Sequence, residues 1–189
     1  LGIDELYKEL KSSNFLVDID SRKIRKGSVF FAIKGDNFNG NEFIGDALKN
    51  GSRLAISDEE NPNLNHNHNV IKVSNSLSTL QDLSKFHRKK CNAKVIAITG
   101  SNGKTTTKEL IYSVLSSNFK TICTTGNFNN HIGLPLSLFE IRHDTEFAVI
   151  EMGANNFGEI AFLTSLCEPD YGYITNFGKA HLEGFINID

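Results

Sequence analysis

Residues 94 to 107 read Lys-Val-Ile-Ala-Ile-Thr-Gly-Ser-Asn-Gly-Lys-Thr-Thr-Thr, and the chain continues into the amphipathic pattern KELIYSVLSS. A buried-type strand, a turn punctuated by two glycines and a helix together form the context that a phosphate loop requires. Glycines let the backbone turn tightly and aim N–H groups at phosphate oxygens, while the following helix adds its positive dipole end. Lys104 would hold the β- and γ-phosphates of a nucleotide, and the Thr105 hydroxyl would ligate Mg²⁺. The nucleotide-binding candidates are therefore Gly100, Ser101, Asn102, Gly103, Lys104, Thr105 and Thr106. The competing reading is a strand-to-helix turn with an incidental lysine. The general GxxxxGK[ST] pattern also asks for glycine where this chain has Ile98, which argues against a generic kinase or GTPase.

Outward from the loop the same rhythm repeats. KVIAIT, KTICTT, EFAVIEM and YGYITNF are apolar runs separated by helical patterns. Strands linked by helical crossovers imply a parallel sheet covered on both faces, and ligands of such sheets bind outside the carboxyl ends of the strands. The polar residues crowding those ends are Gly100 to Thr107, Thr124 to His131, Glu151 to Asn156 and Asn176 to His181.

The first ninety residues read as a separate, smaller α/β domain. Strands are expected over Asn14 to Ile19, Ser28 to Ile33, Arg53 to Ile56 and Val70 to Val73, with helices over Asp4 to Leu10 and Glu42 to Asn50 and a helix stop at Gly51. Asn61 to Asn69 is a loop by composition, and its His66 and His68 lack a partner metal ligand nearby. Ser76 is the expected cap of a helix reaching about Lys90, with Leu77, Leu80, Leu83 and Phe86 at helical spacing. The basic end, HRKKCNAK, reads as a helix terminus and domain junction. The division is expected at residues 1–91 and 92–189.

Charge and composition exclude several classes. With 20 basic and 22 acidic residues in 189 and a net charge of -2, the chain has no field suited to nucleic acid or an anionic membrane. Cys91, Cys123 and Cys167 are widely spaced and form no CxxC pair, so buried free thiols are expected rather than disulfides or zinc ligands. No apolar run approaches the ~20 residues of a membrane span, and no signal-peptide pattern opens the chain. A cytoplasmic monomer with no nucleic-acid partner and no membrane insertion is the expectation. Both ends read as cut, since the chain begins at Leu1 and stops at Asp189 soon after a motif-rich stretch.

TGSNGKTTT resembles the TGxxGKT[ST] loop of the Mur ligases, which lack the first glycine of the general pattern. The resemblance extends over most of the chain. DSRKIRKGSVFFAIKGDNFNG is similar to the uridine-nucleotide region of the members that add the third residue or the terminal dipeptide; GNFNNHIGLP and EMGAN resemble the dipeptide-adding member; NFGKAHLEGF resembles a strand-end motif that several members share. The resemblance implies an α/β fold in which a small N-terminal uridine-nucleotide domain precedes a truncated P-loop, parallel-sheet ATPase domain.

It also implies site residues. Lys104 falls to the phosphates, Thr105 and Glu151 to Mg²⁺, and His181 matches a metal-linked histidine. Physical logic agrees for Glu151, since a carboxylate at the tip of a neighbouring strand suits a cation that prefers oxygen; the plain alternatives are a helix-capping carboxylate and, for His181, an ordinary loop histidine. Ser21 and Arg22 match DSR, and Asp36, Asn37 and Phe38 a stretch touching uridine diphosphate. Asn127, Asn129 and Asn130 fit a polar surface facing the sugar-peptide or nucleotide, because an amide offers both donors and an acceptor. Each could equally be a solvated turn residue.

The implied activity is ATP-dependent ligation of D-Ala-D-Ala to UDP-MurNAc-tripeptide through an acyl phosphate. The family's carbamylated lysine and C-terminal domain would lie beyond Asp189, so the chain alone is expected to be inactive. Rival readings are the sibling ligase that adds the third amino acid, another P-loop NTPase or phosphotransferase, and a non-catalytic nucleotide-binding module.

Overall fold

The computed structural model describes residues 2–35, 37–60 and 67–178 and forms two compact units that divide between Leu83 and Ser84. The division falls inside a helix, α3 (Ser76–Lys90). In the first unit, α1 (Ile3–Ser12) buries Leu6 and Leu10 and carries Asp4 and Glu5 in its first turn, where the helix dipole favours acids. Asn14 and Phe15 then adopt left-handed φ of 53° and 56°. That turn delays the strand expected from Asn14, and β1 spans only Val17–Asp18.

After β2 (Val29–Phe31) the chain makes a short antiparallel hairpin, β3 (Lys34–Gly35) with β4 (Phe38–Asn39). Two-residue strands carry too little alternation for the sequence to announce them. The helix expected from Glu42 starts as a 3-10 turn, Gly40–Phe43, and becomes α2 over Ile44–Lys49. Gly51, at φ 108°, ends it as expected. With β5 (Leu54–Ser57) and β6 (Val70–Lys72), the sheet order is β1-β2-β5-β6, parallel throughout. Phe30, Ala32 and Ala55 pack with Ile44 and Ala47 of α2 in one buried cluster. Val29, Phe31, Leu54 and Ile56 alternate to the opposite face and are buried as well.

The cap of α3 differs from expectation. Asn75 accepts the N–H of Ser78 at 2.7 Å, while Asp58 accepts that of Ser76 at 3.0 Å. Ser76 is instead the first helical residue, and its buried Oγ has no partner among the described residues. An amide one position earlier reaches the third helical N–H, the geometry of an N-cap.

The second unit contains β7 (Lys94–Thr99), α4 (Lys104–Ser116), β8 (Thr121–Cys123), α5 (Gly133–Phe139), β9 (Phe147–Glu151), α6 (Glu159–Cys167) and β10 (Tyr171–Ile174). The order is β10-β7-β9-β8, again parallel throughout. Val95, Ala97, Ala148 and Ile150 face α5 and α6 and share a buried core with Leu134, Leu138, Leu163 and Leu166. α4 packs on β7, β8 and β9. All three cysteines are free, but only Cys167 is buried, where desolvation pushes its thiol up to about 12. Cys91, just past α3, and Cys123, on the edge strand β8, are half-buried, contrary to the expected burial. Among the described residues no helix is long and apolar enough to cross a membrane.

The end of α3 is tied into this unit by its polar groups. Arg88 donates to the Cys167 carbonyl at 2.8 Å and pairs with Asp170 at 3.1 Å. His87, 3% exposed, donates from Nε2 to the Ile141 carbonyl at 2.9 Å. Burial lowers the His87 pKa from its ordinary 6.5, against the raising effect of that hydrogen bond. The folded chain therefore refuses a proton that the unfolded chain accepts, so this contribution to stability is present above about pH 6.5 and is lost as pH falls. Unfolding by urea at pH 7.5 and 5.5 should show a smaller loss of stability on acidification in His87→Gln than in the parent. Equal losses would remove His87 as a source of the acid sensitivity.

Candidate functional site

The strand register decides what stands beside the phosphate loop. Thr99 pairs with Ile174, and Ile98 with Glu151, so the loop that leaves β7 emerges between the carboxyl ends of β9 and β10. β7 continues through Ile98, fully buried, where the general phosphate-loop pattern would already turn. Gly100 makes the turn at φ 129°, a conformation open to glycine. A Cβ here would lie 2.1 Å from Thr175 Oγ1 and 3.0 Å from the Asn176 nitrogen.

Residues 175–178, just past β10, brace the loop. Thr175 Oγ1 donates to the Asn102 carbonyl at 2.6 Å, and Asn176 Oδ1 accepts the Asn102 N–H at 3.0 Å. Ser101 Oγ donates to the Gly178 carbonyl at 3.1 Å and accepts its N–H at 2.9 Å. Lys104 Nζ reaches back to the carbonyls of Gly100 at 2.7 Å and Ser101 at 3.3 Å, which tethers the ammonium to the loop. Gly103 occupies the N-cap of α4 in the left-handed region and no side chain caps the helix. Helix starts leave N–H groups without internal acceptors, so this end suits an anion. Thr106 is exposed on the first turn.

Glu151, 3% exposed, is held on every side. Its Oε2 accepts the Thr105 hydroxyl at 2.9 Å and its Oε1 the Asn129 amide at 2.9 Å. Its own N–H donates to Thr124 Oγ1 at 3.0 Å. Thr105 and Glu151, far apart in sequence, thus present a hydroxyl and a carboxylate to the same place. Oxygen donors of this kind suit a hard divalent cation such as Mg²⁺ better than a soft one. Among the described residues no group of three or more His, Cys, Asp or Glu gathers as a metal cluster.

The three asparagines separate. Asn129 supports Glu151; Asn130 Oδ1 accepts the N–H groups of Ile132 at 3.1 Å and Gly133 at 2.8 Å and so organises the start of α5; Asn127 is exposed. His181 lies outside the described residues, as do Asp36 and His66. Thr124 and Asn176 stand in the polar strand ends visible in the sequence, yet nothing in residue type alone gave them a role.

In the first unit, Ser21 is buried in a 3-10 turn and its carbonyl accepts the Asn50 amide at 2.9 Å. The Arg22 guanidinium is 85% exposed and grips Asp20 through two bonds, 2.8 and 2.9 Å, which with the Arg22 backbone N–H hold the Asp20 carboxyl at about 2. Asn37 is exposed in the hairpin turn, and the half-exposed Phe38 ring stacks on Phe43 with centroids 5.3 Å apart. Below the hairpin, Asn39 and Lys34 both reach Glu59, while buried Asn41 donates to Asp58 and accepts from Ser57.

Residues 98–189 match the Mur ligase middle domain, and residues 16–88 match the catalytic domain of the Mur ligase family. The UDP-N-acetylmuramoyl-tripeptide–D-alanyl-D-alanine ligase of Bacillus subtilis is 42% identical over 167 residues, which is 88% of this chain and 36% of that protein. A crystal structure of MurF from Acinetobacter baumannii superposes with a TM-score of 0.85 at 34% identity, covering 97% of this chain and 43% of that one. MurF of Thermotoga maritima in complex with ADP gives 0.81 at 36% identity, covering 92% of this chain and 40% of that one. The chain thus spans about two-fifths of the length of these relatives.

The tight approach at Gly100 is open to test. Gly100→Ala should destabilise the second unit by about 1–3 kcal/mol through backbone strain and shift the amide resonances of residues 101–103 and 175–178 together. A variant with unchanged melting temperature and undisturbed resonances would show that the loop tolerates a side chain there.

Proposed function

This chain belongs to the Mur ligase family, and from that premise we propose that it carries the precursor-binding part (residues 1–91) and the ATP-binding part (residues 92–189) of the ligase that joins D-alanyl-D-alanine to UDP-N-acetylmuramoyl-tripeptide. The observation that supports the reading most is the contact between Thr105 and Glu151 beside a phosphate loop without its usual first glycine. GNFNNHIGLP and EMGAN, which resemble the dipeptide-adding member, supply both Asn129 and Glu151. The names of the relatives point to the same substrates.

In the proposed reaction the precursor's terminal carboxylate attacks the γ-phosphorus of ATP, ADP leaves, and the dipeptide amine then displaces phosphate from the acyl phosphate. A bound Mg²⁺, held by the Thr105 hydroxyl and the Glu151 carboxylate, would supply charge neutralisation across the phosphates. Lys104 contributes a second positive charge, and the uncapped start of α4 contributes N–H donors. Charge accumulates on the transferring phosphoryl group, so cationic groups and positioned donors are what the chain must provide. No side chain need act as nucleophile. Ser21, Arg22, Asp36, Asn37 and Phe38 are the proposed uridine-nucleotide contacts.

The test uses the full-length protein with ATP, Mg²⁺, UDP-MurNAc-tripeptide and D-Ala-D-Ala, following phosphate release and product mass. Formation of the pentapeptide precursor is expected. Lys104→Ala should lose about 10²–10³ in turnover, as the removal of one charge-stabilising donor does elsewhere, while precursor affinity stays near the parent's. Near-normal turnover would remove Lys104 from the mechanism, and extension of a dipeptide precursor by a single amino acid would reassign the protein to the sibling activity. Glu151→Gln keeps the size but not the charge, so its activity should recover partly as Mg²⁺ is raised. Loss of folding stability with an unchanged Mg²⁺ requirement would make Glu151 a structural carboxylate.

A further inference from the structure

α4 starts at the phosphate loop, and its single fully buried residue is a lysine. Lys108 is 2% exposed, whereas Leu110 and Val114 on the same helix are 64% and 71% exposed. An ammonium is costly to remove from water unless it is paired and hydrogen-bonded, so packing alone does not account for this residue. Its Nζ donates to the Thr124 carbonyl at 2.6 Å and lies 3.0 Å from Glu109 Oε1. The Glu109 side chain is 57% exposed, so the inward partner is the main chain of Thr124.

Thr124 follows β8 directly and stands against the end of β9. Its N–H donates to the Val149 carbonyl at 3.0 Å, and its hydroxyl accepts the Glu151 N–H at 3.0 Å. Glu151 in turn accepts the Thr105 hydroxyl. Thr105 and Lys108 are three residues apart and share a face of α4. The bonds therefore close a ring from Lys108 through Thr124 and Glu151 to Thr105 and back along the helix.

We propose that Lys108 is a positioning residue for the candidate cation site: by gripping the Thr124 carbonyl it holds the ends of β8 and β9 against α4, at the separation where Thr105 and Glu151 serve one cation. The proposal rests on the reading of Thr105 and Glu151 as Mg²⁺ ligands. Thr105 alone cannot fix that separation, because a cation that takes its hydroxyl replaces the bond to Glu151. Lys108 keeps its grip from outside the coordination sphere.

The test measures Mn²⁺ binding in the presence of ATP by electron paramagnetic resonance, in the full-length protein, with thermal unfolding beside it. Lys108→Met keeps the length and removes the donor; Thr124→Val removes the hydroxyl. Each should raise the Mn²⁺ dissociation constant about tenfold, in the 10–100-fold range known for groups that support metal ligands. The double variant should be no weaker than the weaker single one, since the ring is already open, and Thr124→Ser should bind Mn²⁺ as the parent does. Parent-like Mn²⁺ affinity in a folded Lys108→Met, or multiplicative losses in the double variant, would overturn the proposal. Should Lys108→Met fail to fold, parent-like affinity in Thr124→Val overturns it equally. Glu151→Gln separates the two readings: unchanged Mn²⁺ affinity there removes the ligand assignment itself, whereas weakening there but not in Lys108→Met removes only the role of Lys108.

Discussion

A carboxylate that is 3% exposed must be satisfied where it stands, and Glu151 organises the second unit around that requirement. Leaving a buried ion unpaired costs on the order of several kcal/mol, comparable to the net stability of a domain. Its two oxygens are met by a hydroxyl from α4 and an amide from the loop after β8, and its N–H by Thr124. Three segments are thereby fixed at one point. The phosphate loop inherits its position from the same arrangement, because the helix that supplies Thr105 is the helix it opens. The register of β7 with β9 makes this possible by bringing Glu151 level with Ile98, just below the turn.

Much of this was legible in the sequence, because the signals were local. The strand-turn-helix of residues 94 to 116, the alternation that follows it and the parallel sheet all rest on periodicity and on glycine chemistry that neighbouring residues determine. The placement of Lys104 and Thr105 at a helix start and of Glu151 at a strand end was readable in the same way. What escaped was what only the tertiary register creates. The bracing of Asn102 by Asn176 joins residues 74 apart in sequence, and the bond from Asn129 to Glu151 joins residues 22 apart. The burial of Lys108 is of the same kind, since it follows from the Thr124 carbonyl just past β8.

The first unit shows the same limit in another form. Its strands and helices follow the expected hydrophobic pattern, but the hairpin of Lys34–Gly35 and Phe38–Asn39 and the true cap of α3 do not. Both depend on side-chain polar groups. Buried Asn41 joins Asn39, Ser57 and Asp58, and Asp58 also accepts the N–H that begins α3. A polar network of this kind ties a loop to a helix start through residues whose individual propensities indicate only a turn. Ser76 was the expected cap on propensity, and Asn75 prevailed because its side chain reaches the Ser78 N–H while Asp58 already holds that of Ser76.

The asparagines that crowd these loops share a physical rationale. A loop that must be rigid next to bound phosphates needs side-chain acceptors for its backbone N–H groups and donors for its carboxylates. Aspartate meets the first need at the cost of a negative charge facing the nucleotide. Lysine meets the second but competes for the same anions. An amide does either without charge. Asn176 accepts from the loop N–H of Asn102, Asn130 accepts from the start of α5, and Asn129 donates to Glu151. Glu151 is the carboxylate that bonds to the first turn of α4, and in the proposed site a divalent cation would offset its charge. Neutral bracing would leave the positive field of Lys104 and the helix start undiminished for the phosphates of the proposed nucleotide.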